Sequence, residues 1–165
     1  MLKTVPMTLA LVAALTVPAI VHAKSPAKAQ GMTCAPVTTA AVESQFKIFN
    51  DAWATKNPDT VTALFAKDGV LLATVSNTPR TTPDAIKDYF VSFLKGDPVG
   101  TINTSTIKLG CNVAYRMGTW TVALTNQNSG ARNDVKARYT FIYTYENRAW
   151  KVQHLHSSMM PIPAA

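Results

Sequence analysis

Two histidines, His154 and His156, stand two residues apart in a stretch, Ala149 to Ser158, that reads as a β-strand. Side chains alternate between the two faces of a strand. That period places Trp150, Val152, His154 and His156 on one face and Lys151, Gln153, Leu155 and Ser157 on the other. Trp150 and Val152 belong against a core, so both imidazoles are expected to point inward, into a concavity. Imidazoles titrate near neutral pH and suit proton transfer or anion binding. Two of them are costly to bury without partners; the plainer alternative is a hydrogen-bonded pair that only supports the sheet. His-x-His is also half of a metal site. The remaining histidine, His22, lies in a segment expected to be removed, and no carboxylate stands near the pair in sequence, so no metal is expected. There is no Ser-His-Asp order, no Gly-rich phosphate loop and no thiol nucleophile, and nothing in the sequence calls for a redox cofactor.

The elements that must position these residues fall into two blocks. From Thr38 or Thr39 onward, Val42, Phe46, Phe49 and Trp53 recur at three- and four-residue steps, the mark of a helix with one apolar face. Asn57-Pro58-Asp59 starts a second helix with Val61, Leu64 and Phe65 inward, ended by a turn at Asp68-Gly69. A short buried strand, Val70 to Thr74, and a polar loop carrying Pro79 and Arg80 follow. Pro83 opens a third helix whose inner face is Ile86, Tyr89, Phe90 and Phe93, stopped by Gly96 and Pro98. The rest reads as strand: Val99 to Leu109, Cys111 to Thr125, Val135 to Glu146 and Ala149 to Ser158. Helices first and hairpins afterwards predict an α+β domain with helices on one face of a sheet. On the third of these strands Arg138, Thr140 and Ile142 alternate with Tyr139, Phe141 and Tyr143. One set must oppose the helices, and the aromatic set, with the Leu155 side of the last strand, is a candidate subunit contact.

The N-terminus predicts export. Lys3 precedes an uncharged apolar stretch from Val5 to Val21 that closes on Val21-His22-Ala23, the pattern of a signal peptide cut after Ala23. Residues 1–23 are thus read as signal peptide, 24–37 as a flexible lead-in rich in Lys, Ala, Ser and Pro, and 38–161 as the folded domain. The expected location is periplasmic or secreted, with no membrane association after cleavage. The 165-residue chain carries a net charge of +7. Its lysines are dispersed rather than gathered into a stripe, which argues against nucleic acid as a partner. Cys34 and Cys111 form an even pair in an oxidising compartment, which favours a disulfide over two separate buried thiols.

Several segments together resemble a known family. Leu64-Phe65-Ala66-Lys67-Asp68-Gly69-Val70, followed by one helix and four long strands, resembles the nuclear transport factor 2-like superfamily. The closing run Trp150-Lys151-Val152-Gln153-His154-Leu155-His156-Ser157-Ser158-Met159-Met160-Pro161 is similar to the association (hub) domain of calcium/calmodulin-dependent protein kinase II and its short bacterial relatives, some labelled SgcJ/EcaC-type. Ser76-Asn77-Thr78-Pro79-Arg80, Asp88-Tyr89-Phe90, Pro98-Val99-Gly100-Thr101 and Lys136-Ala137-Arg138-Tyr139-Thr140-Phe141 carry the same likeness, which spans about residues 38–161.

The resemblance implies a cone: a strongly curved, mostly antiparallel sheet wrapped around the first helix, three helices in the N-terminal half, and a homodimer or larger homo-oligomer. It further implies a concave pocket for a small, anionic organic ligand. Arginines in the kinase hub hold small carboxylates; Arg138 falls at one matching position, Arg116 is a second in ambiguous register, and Ser157 stands where the hub motif has arginine. The ligand-binding set is accordingly Arg138, with His154, His156, Tyr89 and Arg80 around it. Superfamily members also include isomerases, dehydratases and cyclases, so His154 and His156 double as general acid–base candidates, and an assembly module without a pocket role stays open as the third reading. A kinase domain and a calmodulin-binding helix are lacking, so neither kinase nor calmodulin is an expected partner.

Overall fold

The structure, a computed structural model, describes residues 33–161. The expected signal peptide, its cut after Ala23 and most of the lead-in lie outside those residues. The chain runs α1 (Thr39–Ala54), α2 (Pro58–Thr62), β1 (Phe65–Leu72), α3 (Pro83–Phe93), β2 (Val99–Gly110), β3 (Val113–Thr125), β4 (Arg132–Glu146) and β5 (Ala149–Met159). The five strands form one curved sheet in the order β1-β5-β4-β3-β2. β1 runs parallel to β5 and the other pairs are antiparallel.

Each helix starts where a side chain can take up a free backbone donor. Thr38 Oγ1 accepts from the Ala41 amide, Asn57 Oδ1 from Asp59 and Thr82 Oγ1 from Ala85. The apolar face of α1 lands on the sheet as expected, with Val42, Phe49, Ala52 and Trp53 buried. Asn50 fixes α1 against β2 by a two-point clasp: its Oδ1 accepts from Gly100 N at 2.9 Å and its Nδ2 donates to Gly100 O at 2.7 Å. The sheet bends at bulges, where one extra residue kinks a strand. Asn103 is the extra residue on β2, since Ile102 pairs with Trp120 and Thr104 with Thr119. At this bend Gly118 comes so close that a Cβ would sit 2.1 Å from Thr104 O, a contact only glycine avoids.

The sheet corrects three expectations. First, β1 begins at Phe65, and Asp68-Gly69 lies within it at a break in register between Phe65 and Val70 rather than ending a helix; α2 is a single short turn. Second, Tyr139, Phe141 and Tyr143 are buried in the core against α1, not a subunit contact. Their alternates Arg138, Thr140, Ile142 and Thr144 occupy the outer face. Third, His154 and His156 do not share a face with Val152. On β4 the neighbours Tyr143 and Ile142 pair with Val152 and His154, so Gln153 is an extra residue that inverts the alternation. Beyond it Leu155 and Ser157 point inward, and the histidines point outward.

Cys34 and Cys111 are joined in a disulfide spanning 77 residues, with Cα atoms 4.8 Å apart. Cys111 lies in the β2–β3 turn rather than in the strand; the neighbouring Asn112 takes a left-handed backbone (φ 57°), one of the few residue types that does so readily. Asn112 reinforces the tie, accepting from Ala35 N at 2.8 Å.

Candidate functional site

α1, α3 and the inner face of the sheet enclose a narrow cavity of about 20 Å³, room for about one water. Its walls are aromatic and aliphatic: Trp53, Phe90 and Phe93 from the helices, Trp120 from β3, Leu71 from β1 and Leu155 from β5. Two hydroxyls interrupt them. Ser157 Oγ accepts from Trp120 Nε1 at 3.0 Å and is bonded to Thr74 Oγ1. Ser157 faces inward because of the Gln153 bulge, so a serine that simple alternation puts on the face away from Val152 is the polar floor of the cone.

The cavity opens at a wider hollow of about 320 Å³ that shares Val75, Tyr89 and Phe93 with it and adds Ser76, Arg80, Asp88 and Ser92. This is the mouth of the cone. Tyr89 stacks on Phe93 with ring centroids 5.2 Å apart. Burial pushes its phenol well above the ordinary range, opposed in part by the Arg80 charge, so Tyr89 is a neutral donor at any ordinary pH. Two of the expected ligand-binding residues, Tyr89 and Arg80, thus meet here.

Arg116 is the feature that strand arithmetic alone did not single out. It lies on the inner face with 6% of its surface exposed. Its Nε donates to Ser105 Oγ at 3.0 Å and a terminal amine to Glu43 O at 3.2 Å, while the guanidinium sits 5.5 Å from the Phe46 ring. All these partners are uncharged groups, and the nearby buried Tyr143 hydroxyl has no hydrogen-bond partner. Phe46 packs edge-on to Trp120 at 6.0 Å, and so stands between this arginine and the aromatic cavity.

The other three expected residues gather on the opposite side of the sheet. Arg138 pairs across β4–β5 with Ser158, and Thr140 with His156, around an open hollow of about 310 Å³. The rings of His154 and His156 are 6.4 Å apart. Among the described residues no group of three or more His, Cys, Asp or Glu is placed to hold a metal ion. Partial burial holds the His154 imidazole below its usual range, and His156 pushes the same way. The native state therefore binds fewer protons than the unfolded chain under mildly acid conditions. The contribution is fully present above the ordinary imidazole pKa of about 6.5 and is lost as pH falls below it. The urea midpoint is expected to fall between about pH 7.5 and about pH 5, and His154→Gln to reduce that fall. An identical pH dependence in the variant would contradict the assignment.

Residues 39–161 match the family described as the calcium/calmodulin dependent protein kinase II association domain. The chain belongs to that family. Among solved structures, an association domain of this kind from Xanthomonas campestris is 40% identical, with a TM-score of 0.72, covering 79% of this chain and 96% of that one. A nuclear transport factor 2-like superfamily protein from Salmonella enterica (11% identity, TM-score 0.67, 76% and 92% coverage) shares the fold. So does a ketosteroid isomerase-like protein from Erwinia carotovora (16% identity, TM-score 0.62, 74% and 96% coverage). Among curated proteins, none matches the chain. The association domain is therefore α+β, with the nuclear transport factor 2-like cone that the resemblance implied.

Proposed function

We propose that this association domain is an exported, self-associating receptor for a small organic molecule held at the mouth of the cone. The observation that carries the reading is the hollow of about 320 Å³ at the mouth of the cone, whose aromatic wall of Tyr89 and Phe93 runs on into the narrow cavity floored by Ser157 and Thr74. Hollows of about this size, with aromatic walls and a few placed polar groups, are the usual form of small-molecule sites. Neither the narrow cavity nor the hollow at its mouth is lined by a histidine or thiol among the described residues, so binding is better supported than His-based acid–base chemistry. The disulfide supports an oxidising location.

A thermal-shift and tryptophan-fluorescence screen of the mature chain tests the reading. Hits are expected to change tryptophan emission, through Trp53 and Trp120 beneath the mouth, and to lose binding in Ser92→Trp, which fills the mouth from an exposed position, while keeping it in Arg138→Ala. Hits that depend on Arg138 and ignore Ser92→Trp would move the site to the outer face, and a screen without hits would defeat the receptor reading. Self-association is proposed through that outer face, where half-buried Val70, Leu72, Met117 and Ile142 and exposed Tyr115 are left without cover. Light scattering showing a monomer at micromolar concentration would refute it.

A further inference from the structure

We propose that self-association across the outer face of the sheet is switched by pH through His154 and His156. Two copies hold together while these imidazoles are neutral and part once they are protonated. This rests on the self-association reading above and adds the groups that control it.

The strand register fixes where the two rings stand. His154 is flanked across the sheet by Val70 of β1 and Ile142 of β4, and Ile142 in turn by Tyr115 of β3. One row on, His156 is flanked by Leu72 and Thr140, and Thr140 by Met117. The histidines therefore occupy the middle of the apolar patch, with β1 on one side and β4 and β3 on the other. A second copy that covers Val70, Leu72, Ile142 and Met117 must cover the imidazoles as well. In the single chain His154 is half-buried and His156 is exposed, with 6.4 Å between the ring centroids.

Charge decides what such a face can accept. None of the four cross-strand neighbours of the two rings is charged. Arg138 lies one row beyond His156, opposite Ser158, and Lys108 lies opposite Tyr115. Toward the other end, Lys151 donates to Ala63 O, Asp68 accepts from the Gln153 amide, and Glu146 pairs with Ala149. With neutral imidazoles the middle of the patch is thus uncharged. It suits a copy of itself: apolar area meets apolar area, and a neutral imidazole carries one donor and one acceptor nitrogen, so each ring can pair with its counterpart.

Protonation removes that match. An imidazolium only donates, and each copy then brings two positive rings, with Arg138 beside them, against the same set on its partner. Burying like charges without a counter-charge is costly. Partial burial, with His156 pushing the same way, already holds the His154 imidazole below its usual range in the single chain, and covering the face extends that effect. The separated chains therefore bind more protons than the pair. Association is fully favoured above the ordinary imidazole pKa of about 6.5 and is lost as pH falls below it.

Sedimentation equilibrium of the mature protein at pH 7.5 and pH 5.5, with circular dichroism at both, tests this. The dissociation constant is expected to rise at least about a hundredfold on acidification, the effect of one ordinary imidazole in each of two copies, with the dichroism unchanged. Joint replacement, His154→Gln with His156→Gln, should give equal association at both pH values. His156→Arg, permanently charged, should be monomeric at both. If the joint variant does not associate at all, the single glutamine variants decide: each is expected to show a smaller pH effect, and an undiminished effect in both overturns the inference. Equal association of the wild type at both pH values overturns it and leaves self-association standing. So does a pH effect that persists in the joint variant, or one that coincides with loss of the dichroism. A wild type that is monomeric at both pH values overturns both readings.

Discussion

Replacing Phe49 by alanine is expected to destabilise the domain by about 4 kcal/mol, the range seen when a large aromatic leaves a packed core. Phe49 is 1% exposed and sits where α1 meets everything else. Its ring lies 5.0 Å from Trp53 on the same helix, 6.2 Å from Phe65 on β1, 6.4 Å from Phe90 on α3 and 5.4 Å from Phe141 on β4. Four elements thus converge on one side chain, and the cavity it would leave cannot be closed by moving any one of them. A melting temperature lowered by more than about 10 °C is the expected result. A change within about 1 kcal/mol would mean that the core packs differently from this description. The effect reaches function, because Trp53 and Phe90, which Phe49 buttresses, are walls of the cone.

Removing the disulfide is the second large effect. Cys34 and Cys111 close a 77-residue loop. The entropy of closing such a loop in the unfolded chain corresponds to roughly 4 kcal/mol. The bond also holds residues 33–38 at the β2–β3 turn, together with the Ala35–Asn112 hydrogen bond. The double variant Cys34→Ala, Cys111→Ala is expected to shift the urea midpoint downward by an amount equivalent to about 2–4 kcal/mol. Two titratable thiols in the native oxidised protein, or an unchanged midpoint, would contradict this.

The parts of this fold that follow a regular period were legible from the amino-acid sequence. The apolar face of α1 from Val42 to Trp53, the proline-started α3 and the four long strands stand close to where their spacing places them. The disulfide partners followed from their being an even pair in a chain read from its sequence as exported. The candidate site was legible only in part, because its wiring depends on departures from period. A single inserted residue, Gln153, turns His154 and His156 outward and Ser157 inward, and local sequence carries no mark of it. Asp68-Gly69 looks like a helix stop and is an irregularity within a strand. Which face of β4 meets the helices could not be decided from β4 alone, since both faces of that strand carry bulky residues. Arg116 was visible only through the family resemblance, and in doubtful register. Its inner position depends on Ser105, Glu43 and Phe46, which are distant in sequence and are brought together only by the curvature of the sheet. Arg80 and Tyr89, by contrast, were both named from the resemblance, and the structure places them together at the cone mouth.

These departures sort the five expected ligand residues into two groups on opposite sides of one sheet. Arg80 and Tyr89 line the mouth of the cone; Arg138 and His156 line a shallow, open hollow, with His154 beside His156 on the outer face. The central claim is that the ligand occupies the first of these. A crystal structure of the mature protein grown with a hit from the screen tests it most directly. Ligand density in the mouth hollow, against Tyr89, Phe93 and Arg80, is the predicted result. Density beside Arg138 and His156, with the mouth empty, would contradict it.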